Sequence, residues 1–329
     1  MKKNRICWGI VGTGKIASSF AEGLRSAPDA ELVAVGSRSG ESADAFGDRH
    51  SIPHRHDSYE ALAGDPAVDV TYIATPHTLH FQNARLCLEA GKPVLCEKPF
   101  TINTREAREL VQLARRKSLF LMEAMWTRFL PAIRQLNQLL AAGVVGDVWL
   151  MAADFGKRFE YDPGSRLFAP DLGGGALLDL GVYPVSLASM VFGPPARITS
   201  MAHLGPTGVD EQSSVLLGYE QGRLAVLYAS MQVTSPDEAT ILGSDGYIRI
   251  HSPMHAPDRL SVFKSGIREQ VLQFPIEGNG LHYEALEVMQ CLRQGKTESS
   301  LMPLEESVQV METMDAIRGQ WGLKYPSEV

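Results

Sequence analysis

The chain has 329 residues, of which 44% are hydrophobic, 21% charged and 8% aromatic, the proportions of a soluble globular protein. At roughly 150 residues per domain, this length suggests about two domains, each large enough to bury a core. The formal net charge is −7 and the pI is about 5.7. This balance weighs against a nucleic-acid partner, because nucleic-acid-binding proteins normally present a basic face.

The cysteines and the apolar runs bear on the cellular location of the protein. The four cysteines are Cys7, Cys87, Cys96 and Cys291. They share no C-x-x-C spacing, so neither a common zinc module nor a disulfide framework is indicated. The N-terminal apolar stretch breaks at Gly12 and Lys15, too early for a signal peptide. The longest weakly charged run, residues 173–192, contains Asp179 and Pro184 and fits a bilayer poorly. We expect a cytoplasmic protein with no membrane partner.

The first third of the chain alternates short apolar runs with helix-like stretches of about ten residues or more. The apolar runs are Ile6–Val11, Leu32–Ser37, Val70–Ala74, Pro93–Cys96 and Leu119–Met122. The helix-like stretches are Ile16–Ser26, Ser39–His50, His80–Ala90 and Thr104–Arg116. This alternation implies βαβ units, and the runs lack polar residues in alternate positions, as expected where helices cover both faces of a sheet. We predict an α/β domain with a doubly wound parallel sheet over residues 1–125.

After about Met125 the pattern changes to strand-like segments separated by turn pairs such as Asp245-Gly246, which indicates hairpins of an antiparallel sheet. The predicted strands lie near Val148–Phe155, Ala196–Leu204, Ser213–Tyr219, Leu224–Met231, Glu238–Leu242, Tyr247–His251 and Arg259–Lys264. The predicted helices are Pro131–Ala142, Ala176–Val191, His282–Gln294 and Pro303–Ile317. We predict an α+β domain over residues 126–329.

The first predicted turn carries a dinucleotide-binding pattern. Residues 12–17 match G-x-G-x-x-A between the first strand and the first helix. Gly12 permits a tight turn, Gly14 lets the backbone approach a pyrophosphate, and Ala17 allows the helix to pack closely. The anion would then sit on the N–H groups at the start of the helix. A plain glycine turn is the alternative, but the position favours a cofactor site. The predicted contacts are Gly12, Thr13, Gly14, Lys15 and Ile16.

The end of the second predicted strand discriminates between NAD and NADP. Enzymes that use NAD place an acidic residue there for the ribose 2′-hydroxyl, whereas those that use NADP offer neutral or cationic groups to the 2′-phosphate. Here the strand ends in Ser37-Arg38 with no acid. Ser37 can donate a hydrogen bond, and Arg38 offers a positive charge and a planar face. We predict NADP rather than NAD, the alternative being that Arg38 is merely solvated.

The fourth predicted strand runs into Thr75-Pro76-His77 and the fifth into Glu97-Lys98-Pro99. The carboxyl ends of strands line the ligand crevice of a doubly wound sheet. Lys98 is therefore a candidate hydrogen-bond donor to a substrate oxygen beside the nicotinamide. Because most lysines are surface residues, the spacing alone leaves both interpretations open.

Together these motifs resemble the Gfo/Idh/MocA oxidoreductase family. The resemblance rests on Gly12-Thr13-Gly14, on Ala74-Thr75-Pro76 with His80 after it, and on Gly91-Lys92-Pro93-Val94-Leu95-Cys96-Glu97-Lys98-Pro99. It implies an N-terminal Rossmann domain and a C-terminal domain with a large, mostly antiparallel open sheet, one face of which is commonly buried in a dimer. It also implies that Lys98 is the family's catalytic lysine. The remaining cofactor contacts that we expect are Thr75, Pro76, His77, His80, Glu97 and Lys98 itself.

The second half of the chain sharpens the resemblance. A glycine-rich lead at residues 173–175 enters a helix on which Asp179 and Tyr183 are four residues apart and share one face. Many family members carry Asp and then His at this spacing. The tyrosine, together with residues 123–129 (Glu-Ala-Met-Trp-Thr-Arg-Phe), is similar to the branch that contains dihydrodiol and D-xylose dehydrogenases. That branch uses NADP. Without the resemblance, Tyr183 would be interpreted as a buried core aromatic.

These residues suggest a mechanism of hydride transfer. We hypothesise that Tyr183 takes the proton of a substrate hydroxyl as the carbinol carbon delivers hydride to the nicotinamide, and returns it in the reductive direction. A free tyrosine has a pKa of about 10, and a nearby Lys98 ammonium would lower it. Lys98 would also stabilise charge on the substrate oxygen, and Asp179 would orient the substrate or Lys98.

The substrate is a small molecule with a hydroxyl or carbonyl group, and a sugar, a polyol and a cyclic vicinal diol remain equally compatible with the residues. The candidate substrate contacts are Trp126, Arg128, Phe155, Arg166 and Tyr283. Packing inside the protein is an equally good explanation for Trp126 and Arg128. The resemblance implies a homodimer or higher homo-oligomer.

A glycine-rich turn after the first strand is also compatible with two other functions. A sensor on the same fold would bind NADP(H) without turnover, but the retained Lys98, Asp179 and Tyr183 favour an enzyme. A methyltransferase is disfavoured by the Glu97-Lys98-Pro99 element. No metal site is predicted: His50, His54 and His56 lie close together, but residues 51–56 are predicted to form a solvated loop without a matching carboxylate.

Overall fold

The computed structural model describes residues 5–328, which pack as two compact units. The first unit contains the described residues up to Trp126 together with Glu277–Val308, and the second contains Thr127–Ile276 together with the described residues from Gln309 onwards. The first boundary lies one residue from the predicted one. The segment Glu277–Val308, however, packs with the first unit, whereas the sequence predicts it in the second domain. Periodicity cannot reveal such a return of the chain.

The helices and strands of the described chain follow in order. The strands are β1 Ile6–Val11, β2 Ala30–Gly36, β3 His54–His56, β4 Val70–Ile73, β5 Val94–Glu97, β6 Leu121–Ala124, β7 Val148–Gly156, β8 Arg197–Leu204, β9 Asp210–Gly218, β10 Leu224–Ser230, β11 Ala239–Gly243, β12 Gly246–Ile250, β13 Arg259–Lys264 and β14 Ile267–Gln273. The helices are α1 Lys15–Leu24, α2 Gly40–His50, α3 Tyr59–Ala63, α4 His80–Glu89, α5 Thr104–Lys117, α6 Pro131–Ala141, α7 Val182–Phe192, α8 His282–Gln294 and α9 Leu304–Gly319.

The first unit is built on a six-stranded parallel sheet in the order β3-β2-β1-β4-β5-β6, the order of a dinucleotide-binding Rossmann sheet. Every residue of β4, β5 and β6 is buried, because helices cover both faces. The predicted doubly wound sheet is confirmed. The chain returns to this unit at α8, which packs on α1. The N–H of Leu121, the first residue of β6, donates to the carbonyl of Thr297 (3.1 Å).

The prediction that residues 51–56 form a loop is wrong for residues 54–56. His54–His56 is the edge strand β3, which pairs in parallel with β2 so that Ala34 lies opposite His54 and Gly36 opposite His56. This strand is only three residues long and entirely polar in sequence, so it lacks the apolar run by which buried parallel strands are recognised. Its formation depends on pairing with β2.

The second unit is built on an eight-stranded sheet in the order β14-β13-β12-β11-β7-β10-β9-β8. Strands β7 and β10 pair in parallel, whereas the other described pairs are antiparallel. The mostly antiparallel sheet expected from the resemblance is confirmed, and β14 is an addition to the predicted strands. Helix α7 packs against β7 and β10. Residues of β8, β9 and β10 alternate between the covered and the open face.

The helical stretch Pro170–Phe192 is long and apolar enough to cross a membrane by length and composition alone. Within the second unit, 78% of its most apolar window is buried. Burial inside the protein therefore accounts for its apolar character, as in the core helix of a globular protein.

Candidate functional site

The turn after β1 has the shape that a dinucleotide pyrophosphate needs. Gly12 has a φ of +111°, and a Cβ at this position would lie 2.7 Å from the carbonyl oxygen of Ala74, so a side chain cannot fit. At Gly14, no described atom would lie within 4 Å of an added Cβ, which leaves space for a ligand. Helix α1 begins at Lys15 without a capping side chain at Gly14. Its first amides are thus available for an anion.

The end of β2 presents the two residues predicted to discriminate between cofactors. Ser37 is 7% exposed, and its N–H donates to the carbonyl of His56 on β3 (3.1 Å). Arg38 is exposed and lies beside Tyr59. Burial raises the pKa of Tyr59, although the charge and hydrogen bond of Arg38 oppose that rise. Ser39 then accepts from the N–H of Ser42 and caps α2. The strand end therefore offers a hydroxyl and a cation but no acid.

His80 holds together the two loops that follow β4 and β5. Its side chain is fully buried, with Nδ1 2.8 Å from the carbonyl oxygen of Pro99 and Nε2 2.9 Å from that of Thr75. Both ring nitrogens thus lie within hydrogen-bond distance of a main-chain carbonyl oxygen, one from each loop. Asn83 also donates to the Thr75 hydroxyl (3.1 Å). The geometry gives His80 a positioning role, and direct contact between His80 and the cofactor stays a prediction.

Lys98 stands in a turn that is fixed on both sides. It is half-buried and is joined to Pro99 by a cis peptide bond. The Glu97 carboxylate accepts from the Tyr72 hydroxyl and from the N–H of Lys98 (3.1 Å). On the other side, the N–H of Phe100 donates to Glu123 (3.1 Å). Lys98 therefore projects from a backbone held by buried carboxylates.

Sequence reasoning missed a third buried acid in this region of the first unit. Glu284 on α8 is fully buried, and burial, with the Glu97 carboxylate adding to it, raises the pKa of Glu284 well above its usual range. Burial and the same Glu97 charge also raise the pKa of Tyr72, so this phenol remains a hydrogen-bond donor. The sequence of α8 gives no signal that the Glu284 carboxylate is buried near Glu97.

In the second unit, Asp179 lies in a π-helical turn, Leu177–Gly181, that leads into α7. It is 6% exposed, and one carboxylate oxygen accepts from the Arg166 guanidinium at 3.0 Å. The start of this helical stretch is fixed by Asp210, which accepts from the N–H of Leu177 (2.7 Å). Two of the predicted site residues, Arg166 and Asp179, are thus brought together as an ion pair.

Tyr183 belongs to an aromatic cluster in the same unit. Its ring centroid lies 5.6 Å from that of Phe155 and 5.5 Å from that of His255. The Phe155 and His255 rings stack at 4.5 Å and 9°. His255 also pairs with Asp237, with 3.4 Å between Nδ1 and Oδ2. The structure therefore places the candidate base Tyr183 beside an aromatic wall. His255 was missed because it lies in a loop whose position depends on distant parts of the chain.

The other three predicted substrate contacts have different surroundings. Arg128 is 5% exposed and donates to the carbonyl (2.8 Å) and hydroxyl (3.1 Å) of Ser186 on α7, which makes it an internal tie of the second unit. Trp126 is half-buried at the end of β6 in the first unit. Tyr283 also lies in the first unit, where its hydroxyl accepts from the N–H of Glu277 (3.3 Å). Their contact with substrate stays a prediction.

Comparison with known proteins shows to which family this chain belongs. A model described as the oxidoreductase family with an NAD-binding Rossmann fold, GFO_IDH_MocA, matches residues 6–125, and one for the GFO/IDH/MocA C-terminal domain matches residues 133–249. The trans-1,2-dihydrobenzene-1,2-diol dehydrogenase of Xenopus tropicalis is 39% identical over 331 residues, covering 97% of this chain and 99% of the relative. The human enzyme of the same name is 39% identical over 335 residues, covering 98% of each chain. The chain belongs to the Gfo/Idh/MocA family.

Solved structures of other proteins agree with this assignment. KijD10, a 3-ketoreductase from Actinomadura kijaniata solved with NADP and TDP-benzene, has a TM-score of 0.86 and 27% identity, covering 96% of this chain and 98% of its own. A levoglucosan dehydrogenase solved with NADH and levoglucosan has a TM-score of 0.88 at 19% identity, covering 98% of this chain and all of its own, and shows a shared fold. This Gfo/Idh/MocA protein is an NAD(P)-dependent oxidoreductase, as the motifs predicted.

Proposed function

We propose that this oxidoreductase transfers a hydride between NADP and the carbinol or carbonyl carbon of a cyclic vicinal diol, a polyol or a sugar. The observation that carries the proposal is the 39% identity, over nearly the whole chain, to enzymes named for oxidising a cyclic vicinal diol. The aromatic cluster of Phe155, Tyr183 and His255 supports it, because apolar rings beside polar groups suit a ring-shaped substrate.

The preference for NADP rests on Ser37 and Arg38. A 2′-phosphate carries more negative charge than a 2′-hydroxyl, and a guanidinium binds phosphate through paired hydrogen bonds. The exposed Arg38 stands at the strand end where such a phosphate would lie. An Arg38→Ala variant is expected to raise the KM for NADP+ at least ~10-fold while changing the KM for NAD+ little, since one charge-assisted hydrogen bond contributes about 1.5–3 kcal/mol.

Three residues of this chain would manage the proton and the developing charge. The nicotinamide, when bound, supplies the hydride acceptor or donor. Tyr183 takes the proton of the substrate hydroxyl in oxidation and returns it in reduction. Lys98 donates a hydrogen bond to the same oxygen and stabilises its charge. Asp179, which is fixed by Arg166 (3.0 Å), orients the substrate.

The test is the change in absorbance at 340 nm with NADP+ and, separately, NAD+, across aldoses, polyols and cyclic vicinal diols. Tyr183→Phe and Lys98→Met are each expected to lower kcat at least ~100-fold, as for loss of a general acid–base group, while NADPH binding survives. Tyr247→Phe on the half-buried strand β12 and Lys117→Met at the exposed end of α5 serve as matched controls. Near-normal rates in both site variants would refute the assignment. Tight NADPH binding without turnover of any substrate would favour a sensor.

We also propose that a homodimer forms through the open face of the eight-stranded sheet. Leu216 and Val226 are direct cross-strand neighbours and are 43% and 45% exposed. Met201 and Tyr228 flank Ser214 on the adjoining strands and are 79% and 39% exposed. A contiguous apolar patch of this kind on a soluble protein marks an interaction surface. Light scattering should give a mass of about 72 kDa, twice the 36.0 kDa of the chain; a mass of 36.0 kDa at micromolar concentration would refute a dimer.

Finally, we propose a cytoplasmic location. The four cysteines of the described chain carry thiols rather than disulfides, and three of them are buried, as is usual for proteins of a reducing compartment. Fractionation of cells that make the tagged protein should recover it with cytoplasmic markers.

A further inference from the structure

Three side chains that commonly bind metals meet at the edge of the parallel sheet. They are His54 and His56 of β3 and Asp65, which follows α3, and their ligand atoms all lie within 4.8 Å of one another. In the sheet, β2, β1 and β4 separate β3 from β5 and the Lys98 turn. This His-His-Asp cluster is therefore distinct from the residues proposed to act on substrate.

The strand geometry explains why the two histidines converge. Successive side chains of a strand point to opposite faces, so His54 and His56 share a face and Arg55 takes the other. Arg55 pairs there with Asp48 at 2.7 Å and donates to the carbonyl of Ile52. The charge of Arg55 is thus neutralised on the opposite face of β3.

The carboxylate of Asp65 is held in a fixed orientation. Its Oδ2 lies 2.6 Å from Nδ1 of His54 and 2.9 Å from Nε2 of His56, and its Oδ1 accepts from the N–H of Ala67 (2.8 Å). Asp65 is 6% exposed. One carboxylate oxygen is thus directed at both histidine rings, and the other is fixed by the main chain.

The ammonium of Lys92 also lies close to this segment. It donates to the carbonyl of Asp65 (2.6 Å) and to that of Val68 (2.8 Å), so it is bound by main-chain oxygens and not by the Asp65 carboxylate. The side chain of His54 is 43% exposed and that of His56 is 22% exposed. Solvent can therefore reach the face of the cluster that the histidines present.

We propose that His54, His56 and Asp65 bind a divalent transition-metal ion of the zinc class, with water as the fourth ligand. Zinc sites that retain water use three protein ligands at about 2.0–2.2 Å, so ligand atoms in a tetrahedral site are about 3.3 Å apart. The present separations of 2.6 and 2.9 Å need only a small side-chain rotation to reach that value. Each imidazole then binds the ion through the nitrogen that now faces Asp65 and carries its single hydrogen on the other nitrogen. A neutral ring reaches this state by a change of tautomer, and a protonated ring reaches it by releasing one proton to solvent.

Binding of the ion ties the edge strand to the segment after α3. Because the carbonyl of His56 accepts from the N–H of Ser37 at the end of β2 (3.1 Å), the metal also supports the backbone from which Ser37 and Arg38 project. The hydrogen-bonded His-Asp-His arrangement without any metal is the competing interpretation, and it predicts no saturable binding.

The test is titration of the metal-stripped full chain with ZnCl2 by calorimetry and with CoCl2 by visible absorption at pH 7.5. We expect one equivalent to bind, with an absorption band of bound Co²⁺, and the same protein to unfold at a higher temperature with Zn²⁺. His54→Ala should weaken binding at least ~10-fold, and the double variant His54→Ala/His56→Ala should abolish it, since each ligand contributes directly to affinity.

His203→Ala, which removes an exposed histidine of β8, is the matched control and should bind the ion like the natural chain. His54 is exposed enough for its truncation to leave the fold intact, which far-ultraviolet circular dichroism would verify. Equal affinity of the natural chain and the double variant would overturn the proposal. So would the lack of saturable binding up to about 1 mM metal, far above the range of structural zinc sites.

Discussion

The two sheets of this protein bury their apolar residues in different ways. In the first unit, β4, β5 and β6 are buried along their whole length, and the crossover helices cover both faces. In the second unit, β9 and β10 alternate buried and exposed residues, yet the exposed positions include Leu216, Val226 and Tyr228. The parallel sheet therefore completes its hydrophobic core within one unit. The antiparallel sheet leaves an apolar face exposed, and the proposed dimer would cover it.

The largest effect is expected where the first sheet meets its helices. Phe20 on α1 stacks on Tyr72 of β4 with ring centroids 3.7 Å apart, contacts Trp8 of β1 at 5.3 Å, and is fully buried. Phe20→Ala is expected to lower the free energy of unfolding by about 3–5 kcal/mol, because it leaves a cavity in a packed core. Urea unfolding followed by tryptophan fluorescence would measure it. A loss below about 1 kcal/mol would contradict this account of the covered sheet.

The next effect concerns a buried charge in the second unit. Asp210 at the start of β9 is fully buried, and burial raises its pKa to about 7. Its unfolded pKa is about 3.9, so the folded form binds a proton more tightly. This contribution to stability is fully present below about pH 4 and is lost as the pH rises through about 7.

Asp210→Asn removes this pH dependence. A difference of about three pKa units corresponds to about 4 kcal/mol, and the lost charge on the bond from Leu177 offsets part of it. We expect the variant to gain about 2–4 kcal/mol relative to the natural chain at pH 8, and little at pH 4. Denaturation at both pH values would measure this difference. The exposed Asp245→Asn serves as control, and the same shift in both variants would contradict the burial argument.

The contrast between the sheets also shows what sequence patterns reveal. The parallel sheet was predictable because strands such as Val70–Ile73 are continuous apolar runs, and the turn at Gly12 carries a motif tied to one backbone shape. Strand β3 was not predictable, since its His-Arg-His sequence becomes a strand only by pairing with β2. The spacing of apolar residues in a sequence indicates which residues of a strand are buried. The edge strand β3 contains no apolar residue, so its sequence shows no such pattern.

The residues of the candidate site differ in the same way in whether the sequence predicts them. Lys98, Asp179 and Tyr183 could be proposed from the sequence because they lie in motifs with fixed spacing. His255 and Asp65 were missed because their contacts are distant in sequence: His255 lies next to Phe155, and Asp65 meets His54 across a helix and two loops. A titratable residue outside a motif acquires its neighbours only through the tertiary fold.

The smallest effect on folding is expected at the open face of the eight-stranded sheet. A substitution there also tests most directly whether this sheet differs from the parallel sheet in needing assembly to cover its apolar residues. Val226→Arg places a charge opposite Leu216 on a face that the unit itself leaves uncovered. Surface substitutions of this kind usually change the free energy of unfolding by less than about 0.5 kcal/mol, so each isolated chain should fold as before. An interface that buries the face would have to desolvate the guanidinium without a partner, and the mass measured by light scattering should fall from about 72 kDa towards 36.0 kDa.

Val271→Arg, at a position 54% exposed on the outer strand β14 of the same sheet, tests how far the covered area extends. An unchanged mass in the Val226 variant would place the assembly elsewhere and would leave the open apolar face as a feature of the isolated unit.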